Sequence, residues 1–384
     1  MPTLSLRWAD ESIDRGIDHP MRVPIRQITS SSQHSYGIYC EQVYASTDGR
    51  RVAFRRFSPE DARGGEIWIA DLRTWRVACV GPMSRSLAAS TPLMDSVYYV
   101  RPQGESEHVL VRLNLRTLEA DDVYAFSDCP LPTASTISPD ERTFVSSTRV
   151  HDNVYALYKV DLARGTWEFF HEEKDIINTH IQFEPARGRM LLIQQNRGAV
   201  IRPDGSCEWS SGEEGCALYV VDIDGKNQQF LPVGGPHTGA VDGHQCWIGD
   251  TGKVLAAVHE PLEIGGQCIV TPGDAKATHV MPGFAFIHVS VSSDGRLVAA
   301  DHGGSTYVYL ASLDTGRVLP LHDGRSTRGH GHHKWEEPYI TPDNRHIIFN
   351  SDRTGIAQLY AAEIPEHVKA YLQEDQGGRN HPPR

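Results

Sequence analysis

The sequence lacks the features that mark several common classes of protein. It contains no apolar run of about 18 residues or more, so no segment predicts a membrane-spanning helix. Lysine and arginine form no block and the net charge is −12, which makes nucleic acid and anionic membranes poor partners. Residues 1–10 contain no apolar segment of the kind that a secretory signal requires.

Cysteine usage also excludes two kinds of structure. The seven cysteines are odd in number, scattered along the chain and without a CxxC pair. This usage is typical of reduced thiols rather than a disulfide framework, and it offers no paired thiolates for a metal. We therefore expect a cytoplasmic protein.

Helical periodicity is nearly absent before the C-terminus. No amphipathic helices of crossover length separate the apolar runs, so an α/β fold is not predicted. The sequence has neither a Gly-x-Ser-x-Gly elbow nor a phosphate-binding glycine loop, so Ser-His-Asp hydrolysis and nucleotide binding have no support.

What the sequence does contain is an internal repeat. A turn of the type Ser/Thr-x-Asp-Gly, or a variant of it, is followed each time by a short apolar run and, in most copies, by a second run. The spacing is roughly 45–50 residues, with one longer gap between the fourth and fifth copies, and this period is typical of propeller blades. The turns begin at Ser46, Thr91, Ser138, Glu184, Gly249, Ser292 and Thr341.

These copies predict an all-β fold, a seven-bladed β-propeller. The segment Pro24–Thr29 is an isolated β-like run, and we expect it to complete the blade that contains Ile347–Phe349 and so close the ring. The predicted organisation is an N-terminal extension (1–20), a single propeller domain (21–366), and a short helix with a disordered tail (367–384).

A cluster of histidine and glutamate precedes the last turn. Residues 330–337 contain three histidines and two glutamates. Imidazole and carboxylate together suit a borderline divalent cation such as Mn, Fe, Co or Zn. The sequence alone leaves open a His-rich surface loop without a ligand. The cluster consists of His330, His332, His333, Glu336 and Glu337.

Other histidines stand at or near one position of the repeat, a few residues before the turn. Equivalent positions of successive blades point to the same place, because the innermost strands surround the central channel. We therefore expect these side chains to converge on one funnel. A single such histidine could instead be buried and bonded to backbone, but five of the seven copies carry one. They are His34 (with Tyr36 beside it), His180, His244, His288 and His332.

The chain resembles the oligogalacturonate lyases, a family of metal-dependent seven-bladed propellers. The segment 243–252, GHQCWIGDTG, resembles the family's His-Glu-x-Trp segment, and 287–295, IHVSVSSDG, resembles its Ser-His segment before an Asp-Gly turn. Residues 338–355 and the Pro-Glu at 365–366 resemble its closing blade. The resemblance is diffuse over most of the chain and clearest after His180.

The resemblance implies roles for individual residues. His244 matches the family's general base, and His288 matches a ligand of its metal, typically manganese. The family's Gln-x-x-His-x-His ligand run falls on His332, Trp335 and Glu337, so two ligand types have changed and one is lost. We favour His288, His332 and Glu337 as ligands, with His333 or His330 as a fourth; a shifted pairing uses His330 and His332.

The substrate-facing residues are less closely matched. The family's carboxylate-binding arginine falls on Ala217, and Arg197 on the neighbouring strand is the suggested substitute. His180 is the alternative base. Tyr36, Tyr39 and Tyr339 are potential proton donors to the leaving oxygen. Trp247 either packs in the core or stacks against a sugar. The suggested substrate-binding residues are His34, Tyr36, Tyr39, Trp247 and Tyr339.

Three functions remain open on this basis. The first is a metal-dependent lyase that cleaves short pectic uronides by β-elimination, with an anionic oligosaccharide as partner. The second is a lyase for another uronate linkage, such as rhamnose–glucuronate. The third is a non-catalytic propeller that binds protein or sugar. A binding module does not require a converging set of histidines.

Overall fold

The computed structural model describes residues 3–18, 21–57, 64–84, 88–91, 93–104, 107–202, 207–241, 243–258, 266–284, 286–329 and 331–374. Within this part of the chain, almost all regular structure is β-strand, with one α-helix at Glu366–Gln373 and one 3-10 turn at His332–Lys334. Seven antiparallel sheets of three to five strands are the blades, and the predicted seven-bladed propeller is confirmed.

The repeated turn motif explains how each blade begins. The hydroxyl of Ser46 donates to Asp48 Oδ1 at 2.6 Å and accepts from the amide of Arg51 at 2.9 Å. This hydroxyl therefore joins the two ends of the turn between the inner strand and the next. Gly49 in this turn has φ +67°, a left-handed conformation that glycine adopts without strain. The same pair of bonds recurs at Ser138, Ser292 and Thr341.

We number the blades in chain order and give their strands from the inner edge outward. Blade 1 contains His34–Gly37, Arg51–Phe57, Gly64–Asp71, Arg76–Ser84 and Ala9–Asp10. Blade 2 contains Ser96–Gln103, Glu107–Asn114 and Ala120–Ala125, with a single bridge from Ala89 to Tyr98 at its inner edge. Blade 3 contains Ser135–Ile137, Thr143–His151, Val154–Asp161 and Thr166–Lys174. Blade 4 contains Gln182–Phe183, Met190–Asn196, Cys216–Asp222 and Gln229–Phe230.

The remaining blades follow the same order. Blade 5 contains Cys246–Trp247, Val254–Val258, Gly266–Val270 and Thr278–Val280. Blade 6 contains Phe286–Val291, Leu297–His302, Ser305–Ser312 and Val318–Asp323. Blade 7 contains Tyr339–Ile340, His346–Ser351, Gln358–Glu363, Val23–Gln27 and Ile13–Asp18. A hairpin of Val200–Ile201 and Cys207–Trp209 is inserted in blade 4, within the longer gap between repeats.

The hydrophobic core is divided among the junctions between blades. Seven clusters of buried apolar side chains each join one blade to the next, and the seventh joins blade 7 to blade 1. Because every blade is packed on both faces, its second strand is apolar on both sides over most of its length, as in Val254–Val258, whereas outer strands such as Thr166–Lys174 are largely exposed. The ring is therefore held by packing between neighbouring blades, and each blade packs against two neighbours.

The N-terminal segment closes the ring. Val23–Gln27 pairs antiparallel with Gln358–Glu363, with Ile25 opposite Ala362. The run predicted around Pro24–Thr29 therefore completes blade 7, as expected. The preceding residues continue outward, since Ile13–Asp18 pairs with the closing strand and Ala9–Asp10 pairs with blade 1. Residues 375–384, where a disordered tail was predicted, lie outside the described part of the chain.

We expect Ile25→Ala to reduce the free energy of unfolding by about 2–5 kcal/mol, measured by urea denaturation. Ile25 is 3% exposed and packs in the cluster between blades 6 and 7, so the shorter side chain leaves a cavity at the closure. The control is Ile17→Ala on the adjacent outer strand. Ile17 is 53% exposed, and its replacement should change stability by less than about 0.5 kcal/mol. Equal effects from the two variants would contradict the proposed importance of the closing strand.

Two predictions from absences can be compared with the structure. All seven cysteines are free thiols, which agrees with their scattered spacing. Among the described residues, no helix has the length and apolar composition needed to cross a membrane.

Candidate active site

Three histidines from successive blades lie side by side at one end of the channel. His180 and His244 directly precede the inner strands of blades 4 and 5, and His288 lies on the inner strand of blade 6. Their ring centroids are 4.9 Å apart for His180 and His244, and 4.4 Å apart for His244 and His288. The structure therefore brings together three of the five histidines that the repeat register placed in one funnel.

The backbone at this position of the repeat is unusual. His180, His244 and Glu337 have φ of 41°, 58° and 41°, in the left-handed region that residues with a β-carbon rarely adopt. In each case the residue lies two positions before an inner strand. Such conformations cost free energy and persist where the surrounding structure imposes them, which is frequent at functional sites. The same backbone conformation recurs in blades 4, 5 and 7, which indicates that it directs these side chains into the channel.

Glu41 completes the group, and the sequence reasoning missed it. Its Oε1 lies 2.6 Å from Nδ1 of His180 and 3.4 Å from Nδ1 of His244, and its side chain is 3% exposed. The repeat register contained a usable signal, because Glu41 precedes Ser46 by the same five residues that separate His244 from Gly249.

Blade 1 differs from the others in having its regular inner strand further from the turn. His34–Gly37 ends several residues before the turn at Ser46, and only the bridge between Ala45 and Val52 continues the pairing near the turn. His34 and Tyr36, which the sequence suggested for this repeat position, therefore lie too far from the turn to occupy it. Glu41 lies in the irregular segment between this strand and the turn, and it faces His180 and His244.

Asp301 holds His288, and this residue was also missed. It lies on the second strand of blade 6 and is fully buried. Its Oδ2 is 2.8 Å from Nδ1 of His288, and its Oδ1 accepts from the backbone amide of His288 at 3.0 Å. The ionised carboxylate accepts a hydrogen bond from Nδ1–H. The other ring nitrogen, Nε2, lies 3.7 Å from Oε1 of Glu337. A carboxylate behind an imidazole is the usual support of a metal-binding histidine.

The histidines differ in their protonation. Burial lowers the pKa of His244 to about 3, and the charge on His288 acts in the same direction. Burial also disfavours a charge on His288, but Asp301, by its charge and its hydrogen bond, raises the pKa of His288 to about 9. Burial raises the pKa of Glu41, against an opposing hydrogen bond from His244. His244 is therefore neutral near pH 7, whereas its neighbour His288 favours the protonated form.

The segment that precedes blade 7 is anchored by a buried ion pair. Arg328 donates to Glu336 at 2.9 Å, and Arg328 also stacks over Trp335 at 4.9 Å. Trp335 in turn lies 5.8 Å from the ring of His288. Burial, with a contribution from Asp301, raises the pKa of Glu336 to about 7. Glu336 is therefore a structural anchor, and it leaves its neighbour Glu337 facing His288.

The histidines of this segment are not all at the centre. His333 lies at the rim, 4.7 Å from the ring of His34 and 6.0 Å from the ring of Tyr36. His330 lies outside the described residues, and so does the side chain of His332, although its backbone forms part of the 3-10 turn. Of the favoured ligand set, the structure thus places His288 and Glu337 together.

Several residues suggested from the sequence have other surroundings. The guanidinium of Arg197 donates to the carbonyl oxygens of Glu214 at 2.6 Å and Gly215 at 3.1 Å, so it is engaged by the backbone of the blade 4 insertion. Trp247 is 5% exposed and packs between blades 4 and 5, which leaves no ring face for a sugar. Tyr339 is 1% exposed within the core between blades 7 and 1. Burial therefore favours the core alternative for Trp247, and it disfavours contact of Tyr339 with a substrate.

Tyr39 is the tyrosine that reaches the centre. Its hydroxyl oxygen is 3.1 Å from Nδ1 of His244, and its ring lies 5.6 Å from that of His180. Burial raises the pKa of Tyr39 well above its ordinary value, and the nearby Glu41 adds to this effect. Tyr39 is therefore a protonated hydroxyl group beside the central histidine.

Two adjoining donor sets have the chemistry of a divalent metal site. Glu41, His180 and His244 offer ligand atoms within 4.8 Å of one another. His288 and Glu337 offer a second imidazole and carboxylate, with Asp301 behind the imidazole. Mixed nitrogen and oxygen donors of this kind suit Mn, Fe, Co or Zn. The residues present thus fit a metal of the predicted type.

The fold and the site define a seven-bladed propeller with a buried imidazole–carboxylate centre at one mouth of its channel. No family model matches the chain. The oligogalacturonide lyase of Pectobacterium atrosepticum is 21% identical over 320 residues, covering 72% of this chain and 77% of that protein. The oligogalacturonate lyase of Dickeya dadantii is 20% identical with the same coverage. The predicted resemblance to this family is confirmed by these similarities.

Solved structures show the same fold. An oligogalacturonate lyase in complex with manganese superposes with a TM-score of 0.69 at 17% identity, covering 96% of this chain and 98% of that chain. The oligogalacturonate lyase of Vibrio parahaemolyticus gives a TM-score of 0.65 at 16% identity, covering 95% and 98%. The shared architecture extends over nearly the whole chain.

Proposed function

We propose that this protein is a metal-dependent lyase that cleaves uronate-containing oligosaccharides by β-elimination. The observation that carries the proposal is the row of His180, His244 and His288, in contact at the channel mouth and flanked by Glu41 and Glu337. The lyase relatives support the reaction class, and galacturonate oligomers are the first substrates to test.

The reaction requires a base that is neutral near pH 7. In β-elimination the C5 proton leaves, its electron pair forms the C4–C5 double bond, and the C4–oxygen bond breaks toward the leaving sugar. We assign proton removal to His244, because it lies at the centre of the row and its lowered pKa keeps the ring unprotonated. His180 stays the alternative base, although its Nδ1 is already 2.6 Å from Glu41.

The uronate carboxylate must be neutralised, since the transition state places further negative charge next to it. A divalent cation supplies this charge stabilisation when bound. We propose that His288 and Glu337 hold it, with His332 as the third ligand carried over from the resemblance, and His330 or His333 as the fourth. His288 is suited to this role because Asp301 engages Nδ1 and leaves Nε2 directed toward Glu337. We propose that this cation is manganese.

The leaving oxygen must receive a proton. Tyr39 is the side chain of this chain best placed to donate it, since its hydroxyl lies beside His244 and its pKa is raised. The rim residues His34, Tyr36 and His333 form a cluster of aromatic and imidazole rings next to the site, and we propose that they contact the sugar.

The test is incubation with oligogalacturonates and Mn²⁺, read as ultraviolet absorbance of the 4,5-unsaturated product. We expect absorbance that a chelator abolishes and that added Mn²⁺ restores. A parallel panel with rhamnose–glucuronate oligosaccharides decides the linkage, because the family's arginine position is Ala217 here and carboxylate recognition must differ. Binding of a glycan without absorbance on any uronide, together with absence of bound metal, would contradict the proposal and favour a non-catalytic binding protein.

A further inference from the structure

The carboxylate of Glu41 lies directly behind the central histidine. Its side chain is 3% exposed, and it faces Nδ1 of both His180 and His244 at 2.6 Å and 3.4 Å. Glu41 comes from blade 1, whereas the two histidines come from blades 4 and 5 across the channel. The contact exists because the closed ring brings the inner edges of these three blades together at its centre.

The carboxylate is itself fixed by polar groups from blade 4. The amide of Gln182 donates to Glu41 Oε2 at 3.4 Å and to the backbone carbonyl of Gln245 at 2.6 Å. On the other side, Asn178 Nδ2 lies 2.7 Å from Nε2 of His180. An amide that donates to Nε2 leaves the proton of His180 on Nδ1, the nitrogen that lies 2.6 Å from Glu41 Oε1. Asn178, His180 and Gln182 thus hold the carboxylate in one orientation.

This arrangement determines which nitrogen of His244 is the base. Nδ1 of His244 faces the Glu41 oxygen at 3.4 Å and the Tyr39 oxygen at 3.1 Å. An ionised carboxylate only accepts hydrogen bonds, so it favours the tautomer with the proton on Nδ1. The lone pair then lies on Nε2, which is free to remove a proton, and the carboxylate stabilises the imidazolium that results.

We propose that Glu41 is the positioning residue of the lyase reaction, holding His244 with Nε2 as the base. The proposal rests on the proposed function for its catalytic consequence. His180 Nδ1 and Glu41 Oε1 are 2.6 Å apart, the separation of a direct carboxylate–imidazole contact, although Oε1 has no partner with hydrogen-bond geometry. A cation held by Glu41, His180 and His244 is the competing interpretation.

The experiment compares Glu41→Gln and Glu41→Asp with Glu184→Gln as the matched control. Glu184 is a buried carboxylate in blade 4, and it accepts backbone amides of the turn at the end of the strand away from the site. We expect Glu41→Gln to lower kcat by about 10²–10⁴-fold, because the amide also stabilises the wrong tautomer. The KM of Glu41→Gln should change by less than about threefold. Glu41→Asp should have a kcat at least about tenfold higher than that of Glu41→Gln, and Glu184→Gln should keep a near-normal kcat.

Two further measurements separate positioning from other roles. Histidine ¹⁵N NMR of the substrate-free protein should show His244, assigned with His244→Asn, protonated on Nδ1 in the wild type and shifted toward the other tautomer in Glu41→Gln. Bound Mn²⁺, measured by mass spectrometry, should be retained in Glu41→Gln. An unchanged tautomer, near-normal kcat, or loss of the metal from Glu41→Gln overturns the proposal, and metal loss assigns the three residues to the cation.

The NMR result also keeps this inference separate from the proposed function. A wild-type protein that is inactive on every uronide but shows the Glu41-dependent tautomer defeats the lyase assignment and supports the pairing of Glu41 with His244. An active wild type whose His244 tautomer ignores Glu41 defeats only the pairing.

Discussion

Replacement of His244 by asparagine is expected to lower kcat by about 10²–10⁴-fold, the usual contribution of a general base. His244 lies between His180 and His288 with its ring held by Tyr39 and Glu41, and burial lowers its pKa to about 3. Asparagine keeps a polar group of similar reach but has no basic nitrogen. The measurement is the initial rate of ultraviolet absorbance increase at saturating substrate and Mn²⁺.

The metal content of the His244→Asn variant distinguishes a base from a ligand. If His244 acts as the base, bound metal and KM stay close to wild type, because the proposed ligands on blades 6 and 7 are untouched. Loss of the metal would make His244 a ligand in the Glu41 and His180 group. Near-normal turnover would move the base elsewhere, and His180→Asn is then the next variant to measure.

Replacement of His288 by alanine is expected to remove bound metal and activity together. Within the described part of the chain, His288 is the imidazole whose Nε2 faces Glu337, at 3.7 Å, while Asp301 holds its other nitrogen. Alanine removes the nitrogen ligand and also leaves Asp301 fully buried without its strongest partner. Metal per protein after gel filtration, with thermal unfolding measured in parallel, separates loss of the ligand from loss of the fold.

The variant Asp301→Asn provides a graded comparison for His288→Ala. It keeps the size of the side chain but changes the support of the imidazole, and such changes commonly weaken metal affinity by about 10–100-fold. We expect titration with Mn²⁺ to show this weakening, with activity recovered at high metal concentration. Full metal content in His288→Ala would show that His288 is not a ligand.

The fold followed from the sequence because its signals are local. A hydroxyl that bonds an aspartate two residues later and an amide five residues later forms the same turn wherever it occurs, as at Ser46, Ser138 and Ser292. Seven copies at blade spacing and one unpaired strand at Pro24–Thr29 then leave a closed ring as the arrangement that pairs every strand. The histidines of blades 4, 5 and 6 could be placed together for the same reason, since their distance from the turn is nearly constant.

The sequence alone did not determine which residues complete the site. Glu41 was missed because blade 1 separates its regular inner strand from its turn, so the histidine and tyrosine of that strand were chosen in its place. Asp301 was missed because its contact with His288 depends on the register between two strands of blade 6. For Trp247 the sequence left core and sugar platform as alternatives, and it suggested a substrate role for Tyr339; packing between blades buries both side chains.

The sequence therefore determined the repeat, the number of blades and the end of the channel at which imidazoles gather, all of which depend on spacing along the chain. Only the tertiary structure decided that Glu41 meets His180 and His244 across the channel, and that Arg197 turns to backbone carbonyls instead of the site. Contacts between distant blades depend on ring closure, strand register and local irregularities. These are set by the packing of the whole core and leave no periodic trace in the chain.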